Sequence, residues 1–176
     1  MRVGVLGLGA IGRVVAGTLA GLGYATSGWS RGPHELAGVD CVHGATALDP
    51  LLQRTDVLVN LLPSTPETVH LLDRARLARL PAGAFVVNAS RGDQLDAAAL
   101  LELLDAGHLA GALLDVFETE PLPADSPLWR HPLVRITPHV AAITVPATSV
   151  AQIVAKARAL LSGQAVEGVV DRVRAY

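Results

Sequence analysis

Three glycines, Gly7, Gly9 and Gly12, spaced G-x-G-x-x-G, follow directly on the apolar run Arg2–Leu6 and open the helix-like stretch Ala10–Leu22. A strand that passes through a glycine turn into a helix constrains this chain more than any other feature it has. Gly7 permits the tight turn, Gly9 lets backbone amides approach a pyrophosphate, and Gly12 lets helix and strand pack closely. The helix N-terminus adds unpaired N–H groups and a positive dipole. The bland alternative is a glycine-rich turn that binds nothing; strand, helix and spacing together favour a dinucleotide site.

The rest of the sequence keeps the same rhythm. Short runs rich in Val and Leu read as strands at Arg2–Leu6, Ala25–Trp29, Asp40–Val42, Asp56–Asn60, Ala84–Val87, Ala110–Leu114 and Val134–Ile136. Between them, helical spacing covers Ala10–Leu22, Ala47–Arg54, Pro66–Leu80, Gln94–Ala106 and Pro146–Leu161. Such alternation specifies an α/β fold, a Rossmann-type doubly wound parallel sheet. Strands this apolar are expected to be buried on both faces. The 176 residues fit one domain, with no internal repeat or linker to divide them. Val116–Pro132 carries four prolines and no period, and a long ordered loop in a compact pattern is often functional.

Composition narrows the function classes. Sixteen acidic and fourteen basic residues leave a net charge of −2 with no basic run, so nucleic-acid binding is disfavoured. The lone Cys41 excludes an intramolecular disulfide framework, fits a reducing cytoplasm and reads as a small buried hydrophobe. The opening MRVGVLGLGAIG has four glycines in twelve residues, which speaks against a signal peptide. No apolar run reaches the roughly 18 residues of a membrane span, so neither secretion nor a membrane is expected. His34, His43, His70, His108 and His131 lack partners at metal-ligand spacing, read as surface or turn residues, and imply no metal.

At the end of the second strand an NAD site calls for an acidic residue that grips the adenosine ribose. Eighteen residues after Gly12 the chain offers Ser30, and then Arg31. A hydroxyl and a guanidinium suit a 2′-phosphate, and the missing carboxylate removes the repulsion that would exclude it. NADP is therefore the preferred cofactor, with NAD as the alternative.

In open α/β sheets, ligands bind beyond the carboxyl ends of the strands. Arg91, in Asn88-Ala89-Ser90-Arg91-Gly92, follows the fifth strand; Asp115 and then Glu120 follow the sixth; Pro138 and His139 follow the seventh. Core packing asks for no titratable groups at three successive strand ends. His139 is the natural proton donor, Glu120 can orient it, and Arg91 can fork onto a carboxylate and polarise the neighbouring carbonyl. Singly, each has an ordinary reading: Asp115 caps its loop, Glu120 is a solvated acid, and His139 is a turn residue. Together they suit hydride transfer between a 2-keto and a 2-hydroxy acid.

These stretches also carry a resemblance. VGVLGLGAIG at 3–12, WSR at 29–31, LVNLLPSTPET at 58–68, NASRG at 88–92, GALLDVFETEPLP at 111–123, SPLW at 126–129, ITPHVAA at 136–142 and VDRVRAY at 170–176 stand in order along the chain. In them it resembles the NAD(P)-binding domain of the D-isomer-specific 2-hydroxyacid dehydrogenases, and within that family the glyoxylate/hydroxypyruvate reductase A group. The resemblance implies reduction of glyoxylate, hydroxypyruvate or a related 2-keto acid, with Arg91 binding substrate, His139 as acid/base and Glu120 paired with it. It further implies that Ala10, Ile11, Arg31, Leu62, Pro63, Ser90, Asp115 and Ala141 line the cofactor, and that the chain forms a homodimer through this domain.

Members of that family carry a second, N-terminal lobe that helps to hold the substrate carboxylate. Here Met1 leads at once into the first strand, so the sequence reads as a nucleotide domain without that lobe, with 163–176 as a tail returning toward it. A site lacking the lobe is half open, which weakens substrate positioning and exclusion of water. Two functions follow as expectations: the cofactor domain of an NADP-dependent 2-keto acid reductase, or a catalytically silent NADP(H)-binding or dimerisation module.

Overall fold

The computed structural model describes residues 1–170. Seven strands form one parallel sheet: β1 (Arg2–Leu6), β2 (Ala25–Ser30), β3 (Val39–His43), β4 (Val57–Asn60), β5 (Ala84–Asn88), β6 (Leu109–Leu114) and β7 (Val134–Ile136). Their order is β3-β2-β1-β4-β5-β6-β7. The chain winds outward from β1 to β3, then returns to the other side of β1, so the order reverses between β1 and β4. That is the Rossmann-like doubly wound arrangement, and its crevice opens where the winding reverses.

Among the described residues the helices are α1 (Ala10–Gly21), α2 (Ala45–Leu52), α3 (Arg74–Leu77), α4 (Ala97–Asp105) and α5 (Pro146–Leu161). The main core joins Leu48, Leu51 and Leu52 of α2, Leu77 of α3, and Leu100, Leu103 and Leu104 of α4 to Leu6, Leu58 and Val86 of the sheet. A smaller cluster packs Ala16 of α1 against Val3 and Val5 on the opposite face. Alternate residues of a strand point to opposite faces, which is why β1 contributes Leu6 to one cluster and its two valines to the other. The chain divides into a unit Met1–His139 and a second unit that begins at Val140. Helix α5, in the second unit, starts with Pro146 in its first turn, where a missing N–H costs nothing.

Several sequence expectations need correcting. Burial on both faces fails for β5 and β6, where Phe85 and Leu113 are 48% and 39% exposed. Among the helices of the first unit only α1 supplies the smaller cluster, and that cluster reaches no further than β4. Cys41 is half-buried rather than buried.

The helix expected over Pro66–Leu80 shrinks to α3. The Thr68 hydroxyl donates to the Pro63 and Thr65 carbonyls and accepts from the Thr65 N–H, a local competitor of helical bonding. His70 then sits at φ +50°, and the helix starts only after Asp73 accepts the Arg76 N–H. Likewise the helix expected from Gln94 begins at Ala97, capped by Asp96. Before it, Gly92–Gln94 forms a 3-10 turn and Leu95 bridges to Leu72. Of the expected tail 163–176, residues 171–176, which hold most of VDRVRAY, lie outside the described residues. The other helix and strand positions agree to within two residues.

Candidate functional site

The glycine turn is built by contacts that only glycine allows. Gly7 has φ +94°, and a Cβ there would lie 2.7 Å from the Leu61 carbonyl oxygen. A Cβ on Gly12 would lie 1.7 Å from the Gly7 oxygen. Gly9 differs: nothing lies within 4 Å of where its Cβ would be. Protein packing therefore explains Gly7 and Gly12, whereas the bare backbone at Gly9 faces open space. Gly9 caps α1 with no side-chain bond, and the first turn, which includes Ala10, Ile11 and Gly12, carries no acidic residue. Ile11 is 58% exposed. A phosphate fits this cradle on sterics and charge alike.

Beside it, the Gly7 N–H donates to the Trp29 carbonyl, tying the turn to the end of β2. Ser30 is buried and its hydroxyl donates to the Gly32 carbonyl at 2.8 Å. It thereby shapes the turn that carries the exposed Arg31. The Arg31 charge is felt by Glu67, whose carboxyl sits below the usual range because of the Thr65 hydroxyl first and Arg31 last.

On the other side of the crevice, the Leu61 N–H donates to the Leu6 carbonyl. This sets the 61–65 loop, with Leu62 and Pro63, against the glycine turn. The Ser90 hydroxyl donates to the Leu62 carbonyl. Asp115, 1% exposed at the end of β6, receives the Thr137 hydroxyl on its carboxylate and the His139 N–H on its carbonyl. Asp115 is thus the latch that fixes the stretch leading to His139.

His139 Nδ1 lies 2.8 Å from Glu120 Oε2, and Glu120 Oε1 accepts the Phe117 N–H at 2.9 Å. The Glu120 carboxyl is held below the usual range by His139 first, then by the Phe117 amide, with a smaller contribution from the Arg91 charge. His139 adopts φ +54°, a conformation uncommon outside glycine and enriched at functional positions. Arg91 is exposed and donates to the Ser90 carbonyl at 2.7 Å. The loop bearing it lies hard against the loop bearing Glu120, because a Cβ on Gly92 would overlap the Phe117 carbonyl carbon at 1.8 Å. The three titratable strand ends therefore converge. Ala141, in the second unit, is exposed.

Sequence reasoning missed Gly92, whose close approach is a tertiary fact, and the buried trio Asn60, Asn88 and Gln94, each 0% exposed. Two of the histidines read as surface or turn residues do stand in turns, but their side chains are not simply solvated. His131 has a side chain only 9% exposed, bonded to Asp105 at 3.2 Å, and His108 Nε2 is buried without a partner. Among the described residues no group of His, Cys, Asp or Glu could hold a metal ion, and no helix is long and apolar enough to cross a membrane. A cleft of about 340 Å³ opens under the 116–128 loop between Leu95 and Leu128, and Arg91, Glu120 and His139 do not line it.

Comparison with known proteins agrees with this geometry. Residues 1–141 match the sequence model of the D-isomer specific 2-hydroxyacid dehydrogenase, NAD binding domain. Glyoxylate/hydroxypyruvate reductase A from Salmonella paratyphi B and that from Serratia proteamaculans are each 45% identical over 174 residues, 99% of this chain and 56% of the relative. The chain thus spans little more than half the length of these curated relatives. A D-isomer specific 2-hydroxyacid dehydrogenase from Xanthobacter autotrophicus Py2, solved with NADPH and MES, superposes with TM-score 0.97 at 48% identity, covering 100% of this chain and 73% of that one. The NADPH-dependent glyoxylate/hydroxypyruvate reductase of Sinorhizobium meliloti, solved with NADP and sulfate, gives 0.96 at 40% identity, with 100% and 57% covered. The chain belongs to the D-isomer specific 2-hydroxyacid dehydrogenase family, whose NAD-binding domain it carries.

Proposed function

We propose that this chain is the cofactor domain of an NADPH-dependent reductase of small 2-keto acids of the glyoxylate and hydroxypyruvate type. The observation that carries the reading is the His139–Glu120 pair at 2.8 Å, which follows strands β6 and β7 at the same carboxyl edge of the parallel sheet as the glycine cradle. Gly7, Gly9, Ala10, Ile11 and Gly12 would hold the pyrophosphate, Ser30 and Arg31 the 2′-phosphate end, and Leu62, Pro63, Ser90, Asp115 and Ala141 the rest of the dinucleotide. NADP is preferred over NAD because Ser30 and then Arg31 stand where an NAD site needs an acid.

The dinucleotide, when bound, supplies the two-electron reducing equivalent to the carbonyl carbon. Arg91 takes the substrate carboxylate in a bidentate grip and draws charge toward the carbonyl oxygen. With Nδ1–H donated to Glu120, the other ring nitrogen of His139 is left to pass a proton to that oxygen, giving the 2-hydroxy acid. Glu120 fixes the orientation of the ring by accepting the Nδ1–H. In the reverse direction the same nitrogen takes the proton back.

The reading treats residues 1–176 as one NAD(P)-binding domain. It places the protein in the cytoplasm as a homodimer, supported by the exposed apolar side chains Phe85 and Leu113 on the sheet. The direct test is glyoxylate- and hydroxypyruvate-dependent NADPH oxidation, by the chain alone and with a relative's N-terminal lobe supplied. His139→Ala should abolish turnover while NADPH still binds. Undiminished turnover in that variant removes His139 from the mechanism, and NADPH binding without turnover in any combination leaves a silent binding module.

A further inference from the structure

The trio of buried carboxamides has no part in the chemistry above, yet it sits between the two loops that the chemistry uses. Asn60 Nδ2 donates to Asn88 Oδ1 at 3.0 Å and to Gln94 Oε1 at 2.7 Å. Gln94 Nε2 donates to the Leu62 carbonyl at 3.1 Å and the Pro63 carbonyl at 2.8 Å. Asn88 Nδ2 donates to the Arg91 carbonyl at 3.0 Å, and Asn88 Oδ1 accepts the Ser90 N–H at 3.3 Å.

Burying three amides costs several kcal/mol unless each is bonded, so their placement needs a reason that an apolar core would not meet. The reason lies in where the bonds end. The β4–β5 register closes at Asn60 and Asn88, and beyond it the chains separate into loops. The carboxamides carry the connection onward, and their outward bonds land on backbone atoms of 62–63 and 90–91, with one longer bond from Gln94 Nε2 to the Thr68 hydroxyl at 3.4 Å. The 62–63 carbonyls have no ladder partner there; Gln94 bonds both, sharing the Leu62 carbonyl with the Ser90 hydroxyl and the Pro63 carbonyl with the Thr68 hydroxyl.

We infer that Gln94, braced by Asn60 and Asn88, is a positioning residue that sets the β4 and β5 loops for the nicotinamide half of the dinucleotide without touching it. This rests on the cofactor reading above and deepens it. In a doubly wound sheet one mononucleotide half of the cofactor belongs to β1–β3 and the other to the strands from β4 onward. Gln94 bonds only to the second set, so its loss should be felt by the whole dinucleotide and not by an adenosine fragment.

The experiment titrates the chain with NADPH and, separately, with adenosine 2′,5′-bisphosphate, in the wild type, Gln94→Leu and Gln94→Glu. Leu removes every bond; Glu keeps the shape and the acceptor while losing both donations to the 62–63 carbonyls. In both variants NADPH should weaken by about tenfold or more, the scale of one lost buried bond, while the fragment stays within about twofold. Fragment binding also reports that the variant has folded. Equal weakening of both ligands, unchanged NADPH affinity, or loss of fragment binding in both variants would each overturn the positioning role. A wild type that binds neither ligand overturns the cofactor reading itself, and the inference with it.

Discussion

The crevice has two walls built on different principles. The β1–α1 wall is shaped by what is missing: side chains are absent at Gly7 and Gly12, where a Cβ would meet a carbonyl oxygen at 2.7 Å and 1.7 Å. The β4–β5 wall is shaped by what is present, three carboxamides at 0% exposure that bond two loops into place. Steric exclusion acts at a single close approach, inside the turn for Gly12 and across to the Leu61 carbonyl for Gly7. A polar network works across distance, joining Asn60 to Gln94 over 34 positions. One wall should therefore fail by clash and the other by unpaired polar groups.

The largest effect should come from Gly12→Ala, which drives a methyl into the Gly7 carbonyl and should cost roughly 3 kcal/mol by overpacking. Urea unfolding measures it. The contrast is Gly9→Ala, where space is open. Stability there should move by less than about 1 kcal/mol while NADPH binding weakens, and a large stability loss would show that Gly9 is structural after all.

Next in size is Asn60→Leu. It strands Gln94 Oε1 and leaves Asn88 Oδ1 with the Ser90 N–H alone, and should cost about 2 kcal/mol. A neutral result in the same unfolding assay would mean that the network relaxes and the second wall is less determined than described.

Arg31→Ala should weaken NADPH relative to NADH by about 1.5 kcal/mol or more, the value of a hydrogen bond to a charged group, with stability unchanged. Competitive titration of the two nucleotides reads this directly. An unaltered ratio would remove Arg31 from 2′-phosphate recognition.

The smallest effect concerns acid. Glu120 titrates below its ordinary 4.5 in the folded chain, so its pairing with His139 stabilises the fold above that value and is lost as pH falls through the lower folded one. Both side chains are more than a third exposed, which keeps the contribution under about 1 kcal/mol. In His139→Ala the Glu120 carboxyl should titrate closer to its ordinary value, as followed by carboxyl-carbon NMR.

The same contrast explains what could be read in advance. Glycine spacing and strand alternation are local, so the turn at 7–12, all seven strands and α5 were legible from sequence. Arg91, Glu120 and His139 stood out because titratable residues at successive strand ends are rare in a core pattern. Gln94 did not, because an isolated Gln beside an apolar run reads as the first residue of a helix; only the fold shows its amide turned inward. Thr68 broke the helix expected at Pro66–Leu80 for a similar reason, through hydroxyl bonds that apolar spacing does not register. Phe85 and Leu113 misled in the opposite sense, since an apolar run shows that a strand wants cover without showing what supplies it.

A two-walled crevice of this build should take up a dinucleotide and prefer NADPH. Equilibrium titration of the purified protein with NADPH and with NADH, followed by fluorescence of Trp29 beside the cradle, tests it most directly. The account predicts saturable binding of NADPH, tighter than that of NADH by about tenfold or more. Tighter NADH binding, or no binding of either nucleotide, would contradict it.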